Sequence, residues 1–187
     1  RMLDSLRRCT QVPYEIVVCD NASDDGTPDA LRELQRSFPQ LAVIDSPEPA
    51  GAVTGNNRAL RVTRGSILGI MTDDVELTPV WERQLVDQLL TRPYVGAAEP
   101  VQVRTDGKLI NFGGCIPYSS RRNSWMKRHF KPPNLEGLRP EEASLPFNPV
   151  RVECACFPFL RREVFNGITM QDPVFVHWWA DFDACLQ

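Results

Sequence analysis

The chain lacks any surplus of charge: across 187 residues, 21 lysines and arginines stand against 24 aspartates and glutamates, a formal net charge of −3. That balance removes the electrostatic case for nucleic acid or an anionic membrane as the main partner, and the clusters Arg7-Arg8, Arg121-Arg122 and Lys127-Arg128 read as solvated faces. No apolar run approaches the ~20 residues that cross a bilayer, and no leader-like segment opens the chain. The six cysteines (Cys9, Cys19, Cys115, Cys154, Cys156 and Cys185) include no CxxC pair and none of the spacings of a zinc site. Several lie inside apolar runs, so free thiols buried in a reducing cytoplasm are expected. Internal repeats and low-complexity tracts are also missing. The length suits one domain with a substantial core.

What is present is a pair of acidic turns. Residues 14–27, YEIVVCDNASDDGT, are an apolar run that stops on Asp20 and breaks into a polar, glycine-bearing turn. Residues 67–77, ILGIMTDDVEL, repeat the design and stop on Asp73 and Asp74. Apolar runs separated by helical patterns read as buried parallel strands, and α/β sheets bind ligands at the carboxyl ends of such strands. Both turns are therefore expected to face one crevice. Carboxylates gathered there suit a hard divalent cation and the nucleotide phosphates it neutralises.

The coarse order of elements is a helix over 2–8, a strand over 14–19, a helix from Thr27-Pro28 to about Ser37, and a strand over 41–45. A helix follows from Gly51 to about Arg64, ended by Gly65, then a strand over 66–71 and a helix from Thr78-Pro79 to about Leu90. Ser/Thr caps and prolines in the first turn mark the starts. This alternation requires crossovers and a parallel sheet. After Pro93 the pattern changes: strand-like residues 94–103 and 108–112 flank the turn Thr105-Asp106-Gly107, which predicts a hairpin. Residues 113–150 read as a long surface excursion, 151–160 as an apolar strand and 161–165 as a helical turn. The chain opens inside a helix and closes on one barely begun, so truncation at both ends is expected.

Taken in order, YEIVVCDNASDDGT, PAGAVTGNNRAL, TRGSILGIMTDDVELTPVW, RVECACFPFLRREVF and WWADFDACLQ resemble the inverting family 2 glycosyltransferases of GT-A fold. Among these the chain is most similar to the rhamnosyltransferase-like branch that builds bacterial cell-surface polysaccharide. The resemblance implies a Rossmann-like, mostly parallel sheet flanked by helices, forming a single domain fragment over 1–187. Its nucleotide-binding part would be about 1–92 and its acceptor-side part about 93–187. It further implies a nucleotide-diphosphate-sugar donor, a saccharide or lipid-linked saccharide acceptor, and no nucleic acid. Mg²⁺ or Mn²⁺ would be the cofactor. The expected setting is the cytoplasm, with peripheral attachment to the inner membrane face through regions outside 1–187; the span 1–187 alone is expected to be inactive.

By the same resemblance, Asp20 would bind the nucleotide base while Asn21 and Ser23 shape its turn. Gly51, Gly55, Asn56 and Asn57 match the segment that lets a helix N-terminus approach the nucleotide-sugar, where backbone amides suit phosphate. Arg58 and Arg64 fall on this helix and read as solvated arginines. Thr72-Asp73-Asp74 stands in for the family's DxD motif, with Asp74 as metal ligand and Asp73 as a ribose or outer contact. Threonine at 72 departs from the acidic or asparagine residue usual there. Asp181 in WWADFDACLQ would be the catalytic base, with Ala180 where the family carries glutamate. Asp183 falls on another helical face, and Trp178, Trp179 and His177 read more readily as core than as sugar or metal contacts. Two alternatives stay open: a sugar-1-phosphate nucleotidyltransferase, and a non-catalytic carbohydrate-binding or scaffolding relative.

Overall fold

A run such as Ile16-Val17-Val18 can bury its apolar side chains only between layers, and the chain supplies those layers with amphipathic helices on either side of it in sequence. The computed structural model describes residues 1–111, the strand segments 114–115, 118–119, 124–125 and 128–129, residues 138–139, and residues 159–165. The first half alternates α1 (Met2–Cys9), β1 (Ile16–Asp20), α2 (Thr27–Ser37), β2 (Leu41–Asp45), α3 (Gly51–Val62), β3 (Ile67–Gly69) and α4 (Arg83–Thr91). The short strands β4 (Ala97–Ala98), β5 (Gln102–Val103) and β6 (Leu109–Asn111) follow. Next come β7 (Gly114–Cys115), β8 (Tyr118–Ser119), β9 (Ser124–Trp125), β10 (Arg128–His129) and β11 (Phe159–Arg161), and a 3-10 turn covers Arg162–Phe165.

β1 and β2 pair in parallel, in register from Ile16 opposite Leu41 to Asp20 opposite Asp45, with α2 as the crossover. The register brings the carboxyl ends of both strands to one edge. β3 takes a different neighbour: the chain returns at β11, which lies antiparallel between β3 and β4. β3 and β4 therefore run the same way, and Leu68 and Leu160, both buried, form a small core with Leu60, Ile70 and Ala97 packed around it. Among the described residues β1–β2 and β3–β11–β4 are separate ladders. Elsewhere Leu6 of α1, Leu31 of α2, Phe38 and Leu41 of β2 are buried, and Tyr14 meets Phe38 edge-on at 6.4 Å.

Most element boundaries follow the sequence pattern, and the exceptions have local causes. The cap of α2 is Gly26, in the left-handed region at φ 82°, so Thr27 is the first helical residue and not the cap. Asp25 supplies the acceptor instead, taking the Thr27 N–H at 3.1 Å. α3 stops at Val62 with Thr63 as its cap, so Gly65 stands beyond the helix end. α4 starts at Arg83, four residues after Pro79, because Val80 takes φ 58° and the 79–82 segment turns instead of coiling. The hairpin forms as expected: β5 pairs antiparallel with β6 across a turn where Gly107 sits at φ 83°. Within 113–150, which carries little periodicity in sequence, β7 pairs with β10 and β8 with β9, both antiparallel.

Candidate functional site

The first acidic turn is built by backbone hydrogen bonds that a short polar sequence makes possible. Asp20 ends β1 and is buried at 6% exposure; its Oδ2 accepts the N–H of Ser23 at 3.1 Å, closing the turn on itself. Its carbonyl accepts the Ser46 N–H at 2.9 Å, tying the exit of β1 to the exit of β2. Ala22, between them, takes φ 63°. Asn21 then reaches across: its Oδ1 accepts the Ala50 N–H at 2.8 Å, immediately before α3. β1, β2 and α3 thus converge on one edge, with Asp20, Asn21, Ser23 and the start of α3 around it.

α3 begins at Gly51, whose φ of 75° lets the chain turn sharply from Ala50 into the helix, and among the described residues no side chain caps its first amides. Gly55 is buried against β1, where a β-carbon would sit 3.6 Å from Cys19 Sγ. Asn57 is buried and Asn56 half-buried. Burial pushes the Cys19 thiol above its ordinary range; the Arg58 guanidinium opposes that shift and the Asp20 carboxylate adds to it. Arg58 is a correction to the sequence-based expectation of a solvated face: half-buried, it donates from Nη1 to Ser46 Oγ, which itself donates to the Glu48 carbonyl at 2.6 Å. Ser46, buried at 7%, was not legible as a site residue, because a serine after a strand is ordinary turn chemistry. Arg64 does fit the expectation, with its side chain 88% exposed.

The second acidic turn follows β3. Asp73 and Asp74 are exposed, and Thr72 Oγ1 donates to Asp74 Oδ1. Threonine at this position thus holds one oxygen of Asp74 and leaves the other, with both oxygens of Asp73, without a partner among the described residues. These are hard oxygen donors, and Mg²⁺-type ions are commonly held by one or two carboxylates plus substrate phosphates. The pair fits such an ion; among the described residues no group of three His, Cys, Asp or Glu side chains gathers to form a complete protein cage.

The segment leaving this turn is anchored on α1. Ser5 Oγ accepts the Leu77 N–H at 3.0 Å, the Cys9 carbonyl accepts the Val80 N–H at 3.3 Å, and Trp81 Nε1 donates to Thr10 Oγ1 at 3.1 Å. Glu82, only 3% exposed, accepts the Gln11 N–H on Oε1 at 2.7 Å, while its Oε2 is buried with no partner among the described residues. On the β3 side, Gly69 is overlaid by the Phe159 ring, which packs on Trp81 at a centroid distance of 5.3 Å. Asp181, with Ala180, Asp183, Trp178, Trp179 and His177, lies outside the described residues, so the proposed base is not among the groups placed here.

The α/β unit, with parallel β1 and β2 and flanking helices, has the GT-A fold. The architecture of GalNAc-T7, solved with UDP, GalNAc and Mn²⁺, matches at a TM-score of 0.67 and 15% identity over 98% of this chain and 36% of that one. The model of the family described as Glycosyl transferase family 2 matches residues 1–169, and the chain belongs to that family. Among curated relatives, the uncharacterized protein y4gI of Sinorhizobium fredii is 25% identical over 177 residues, 93% of this chain and 19% of that protein. Chondroitin synthase of Pasteurella multocida is 26% identical over 139 residues, 70% of this chain and 14% of the synthase. The chain thus spans a fifth or less of the length of these two relatives.

Proposed function

We propose that the chain is the glycosyltransferase domain of an enzyme that moves a sugar from a nucleotide-diphosphate sugar to an acceptor hydroxyl with inversion, in cell-surface polysaccharide synthesis of the rhamnosyltransferase-like kind. The observation that carries the proposal is the Asp20–Asn21–Ala50 junction. A buried carboxylate at the end of β1 and the uncapped amides of α3 are held at one edge by the Asn21 hydrogen bond. Base recognition suits the first and a diphosphate the second. Family membership and the similarity to a polysaccharide synthase support the same reading.

In this assignment Asp20 binds the base, with Asn21 and Ser23 shaping its turn, and Gly51, Asn56 and Asn57 border the donor. Asp74 holds the divalent cation and Asp73 contacts the ribose or the ion's outer sphere. When bound, the cation supplies Lewis-acid stabilisation of the departing nucleoside diphosphate. Asp181 removes the acceptor proton as the hydroxyl attacks the anomeric carbon; a single displacement with inversion requires one such base and no covalent intermediate. Residues 1–92 take the nucleotide and 93–187 serve the acceptor, a saccharide or lipid-linked saccharide. Among the described residues no helix is long and apolar enough to cross a membrane. Attachment to the inner membrane face through other regions belongs to the proposal.

The decisive experiment is a panel of nucleotide-sugars with the full-length protein, followed by calorimetry of the matching nucleoside diphosphate with and without chelator. Binding should require Mg²⁺ or Mn²⁺, and Asp74→Ala should remove that requirement with most of the turnover. Equal affinity in chelator for the wild type would overturn the assignment of Asp74. Absence of transfer from every donor would favour a carbohydrate-binding relative.

A further inference from the structure

At the amino end of β3 lies a cavity of about 520 Å³ that the donor site does not use. β3 runs from Ile67 towards Asp73, and β11 crosses it with Arg161 opposite Ile67, so this cavity and the acidic turn stand at opposite ends of the same strand. Three guanidiniums border it, from Arg64, Arg161 and Arg162. Ile67 and Leu90, the latter 65% exposed on α4, line it as well, together with Glu163, whose carboxylate is taken up by Arg161.

Arg162 is fixed by groups that do not cancel its charge, while Arg161 and Arg64 each meet one carboxylate, Glu163 and Glu15, through part of the guanidinium only. Arg162 donates from Nε to the Gly65 carbonyl at 2.7 Å and from Nη2 to Thr63 Oγ1 at 3.0 Å; it has no carboxylate partner among the described residues, and its Nη1 is unused. Arg161 donates to the Arg92 carbonyl at 2.7 Å and to Glu163 at 3.1 Å, and its Nε is buried with no partner among the described residues. The Arg64 guanidinium meets Glu15 only through Nε, at 3.5 Å, which leaves both terminal nitrogens unpaired among the described residues. Guanidiniums strapped by backbone carbonyls, with N–H groups to spare, form a fork suited to phosphate oxygens.

We propose that this cavity binds a phosphoryl group, at a site separate from the donor crevice. The spare N–H groups of Arg64 and Arg162 contact its oxygens, and an apolar substituent on the phosphate lies along Ile67 and Leu90. The shared chemistry is a phosphate ester, either as a free soluble anion or as a phospholipid headgroup.

The test uses the full-length protein with chelator present, so that metal-bridged phosphate at Asp73 and Asp74 does not contribute. Inorganic phosphate is titrated by calorimetry, and flotation is measured with phosphatidylcholine vesicles with and without phosphatidic acid. Arg64→Gln, on an exposed side chain, should weaken binding about fivefold, and Arg162→Gln about tenfold, with circular dichroism unchanged for the first. Asp73→Asn/Asp74→Asn should bind like the wild type. If Leu90→Ser weakens vesicle binding but not phosphate binding, the lipid is the source; if vesicles never bind while phosphate does, the ligand is soluble. Failure of both probes to bind, or binding that Arg64→Gln changes less than twofold, overturns the proposal.

Discussion

Replacing Gly69 by alanine isolates one packing contact from every backbone effect. Gly69 is not among the glycines with positive φ, so its backbone admits an L side chain. The obstacle is a ring: a β-carbon at 69 would lie 2.8 Å from both Cδ1 and Cζ of Phe159, and closer still to Cε1. The ring cannot swing away freely because it packs against Trp81, 5.3 Å distant, and Trp81 is itself bonded to Thr10. Overpacking of this kind costs roughly 1–3 kcal/mol, and loss of the aromatic pair adds about 0.5–1.5 kcal/mol. A loss near 2.5 kcal/mol is expected, which for a domain of this size lowers Tm by roughly 5–10 °C. Urea unfolding followed by tryptophan fluorescence measures it, and the double variant Gly69→Ala/Phe159→Leu supplies the control. In the Phe159→Leu background the alanine should cost under about 0.5 kcal/mol, the difference being the coupling to the ring. If Gly69→Ala is neutral, or stabilises by the ~0.5–1 kcal/mol of an unstrained Gly→Ala change, the Phe159 argument is wrong.

Three other predictions concern the ties around the site. Burial pushes the Glu15 carboxyl up, but the N–H groups of Arg64 and Gly65 and the Arg64 guanidinium together outweigh burial and hold it below its ordinary value of 4.5. The depressed value means its stabilisation is fully present above pH 4.5 and is lost as pH falls through the lower folded value. Glu15→Gln should cost about 1–2 kcal/mol at pH 7 and flatten that part of the urea-midpoint profile below pH 5, whereas an unchanged acid slope would count against the clamp. Asn21→Ala should remove about 1 kcal/mol and weaken donor binding several-fold by freeing the Ala50 amide, while Asn21→Asp, which keeps the acceptor, should restore the stability. Asp181→Asn in the full-length enzyme should leave donor affinity nearly unchanged and lower turnover by roughly 10²-fold or more, with Asp183→Asn doing much less; the opposite ranking moves the base to Asp183.

What could be read in advance was whatever neighbouring residues determine. β2 falls on residues 41–45 as expected, and β1 is shifted by one or two residues, because an apolar run stopped by aspartate leaves little choice of boundary. The hairpin around Gly107 was equally local, fixed by the Arg104 N–H to the Lys108 carbonyl at 2.8 Å and the Gly107 N–H to the Arg104 carbonyl. The start of α4 was obscured because Thr78-Pro79 is a sound helix signal and nothing in the sequence marks Val80 as left-handed. Long-range partners were hidden. The β3–β11 ladder joins residues far apart in sequence, and Glu82 was unremarkable until its carboxylate met the backbone of Gln11, 71 positions away. Gly69 did carry a signal, since a glycine inside an apolar strand marks close approach of a neighbour, here Phe159. Arg58 was misjudged because helical spacing cannot show that the loop after β2 folds back to place Ser46 beneath it.

The two acidic turns differ in how much of their geometry exists before a ligand arrives, and that difference bears on the proposed chemistry. Asp20 is buried, bonded to Ser23, and set in a junction where β1, β2 and α3 restrain one another. A carboxylate so held gives up little conformational freedom on binding a base. Asp73 and Asp74 are exposed, and among the described residues the only side-chain restraint on them is Thr72 on Asp74. Their backbone is steadied from below by the Ser5, Cys9 and Gln11 contacts with residues 77–82, but their oxygens still face water. In the proposed enzyme the base therefore docks into a preformed socket, whereas the diphosphate and its cation complete their own site on arrival. On that proposal, affinity for the nucleoside would be set at Asp20. The metal dependence of binding arises only with the phosphates, which is why the calorimetry must use the diphosphate to see it.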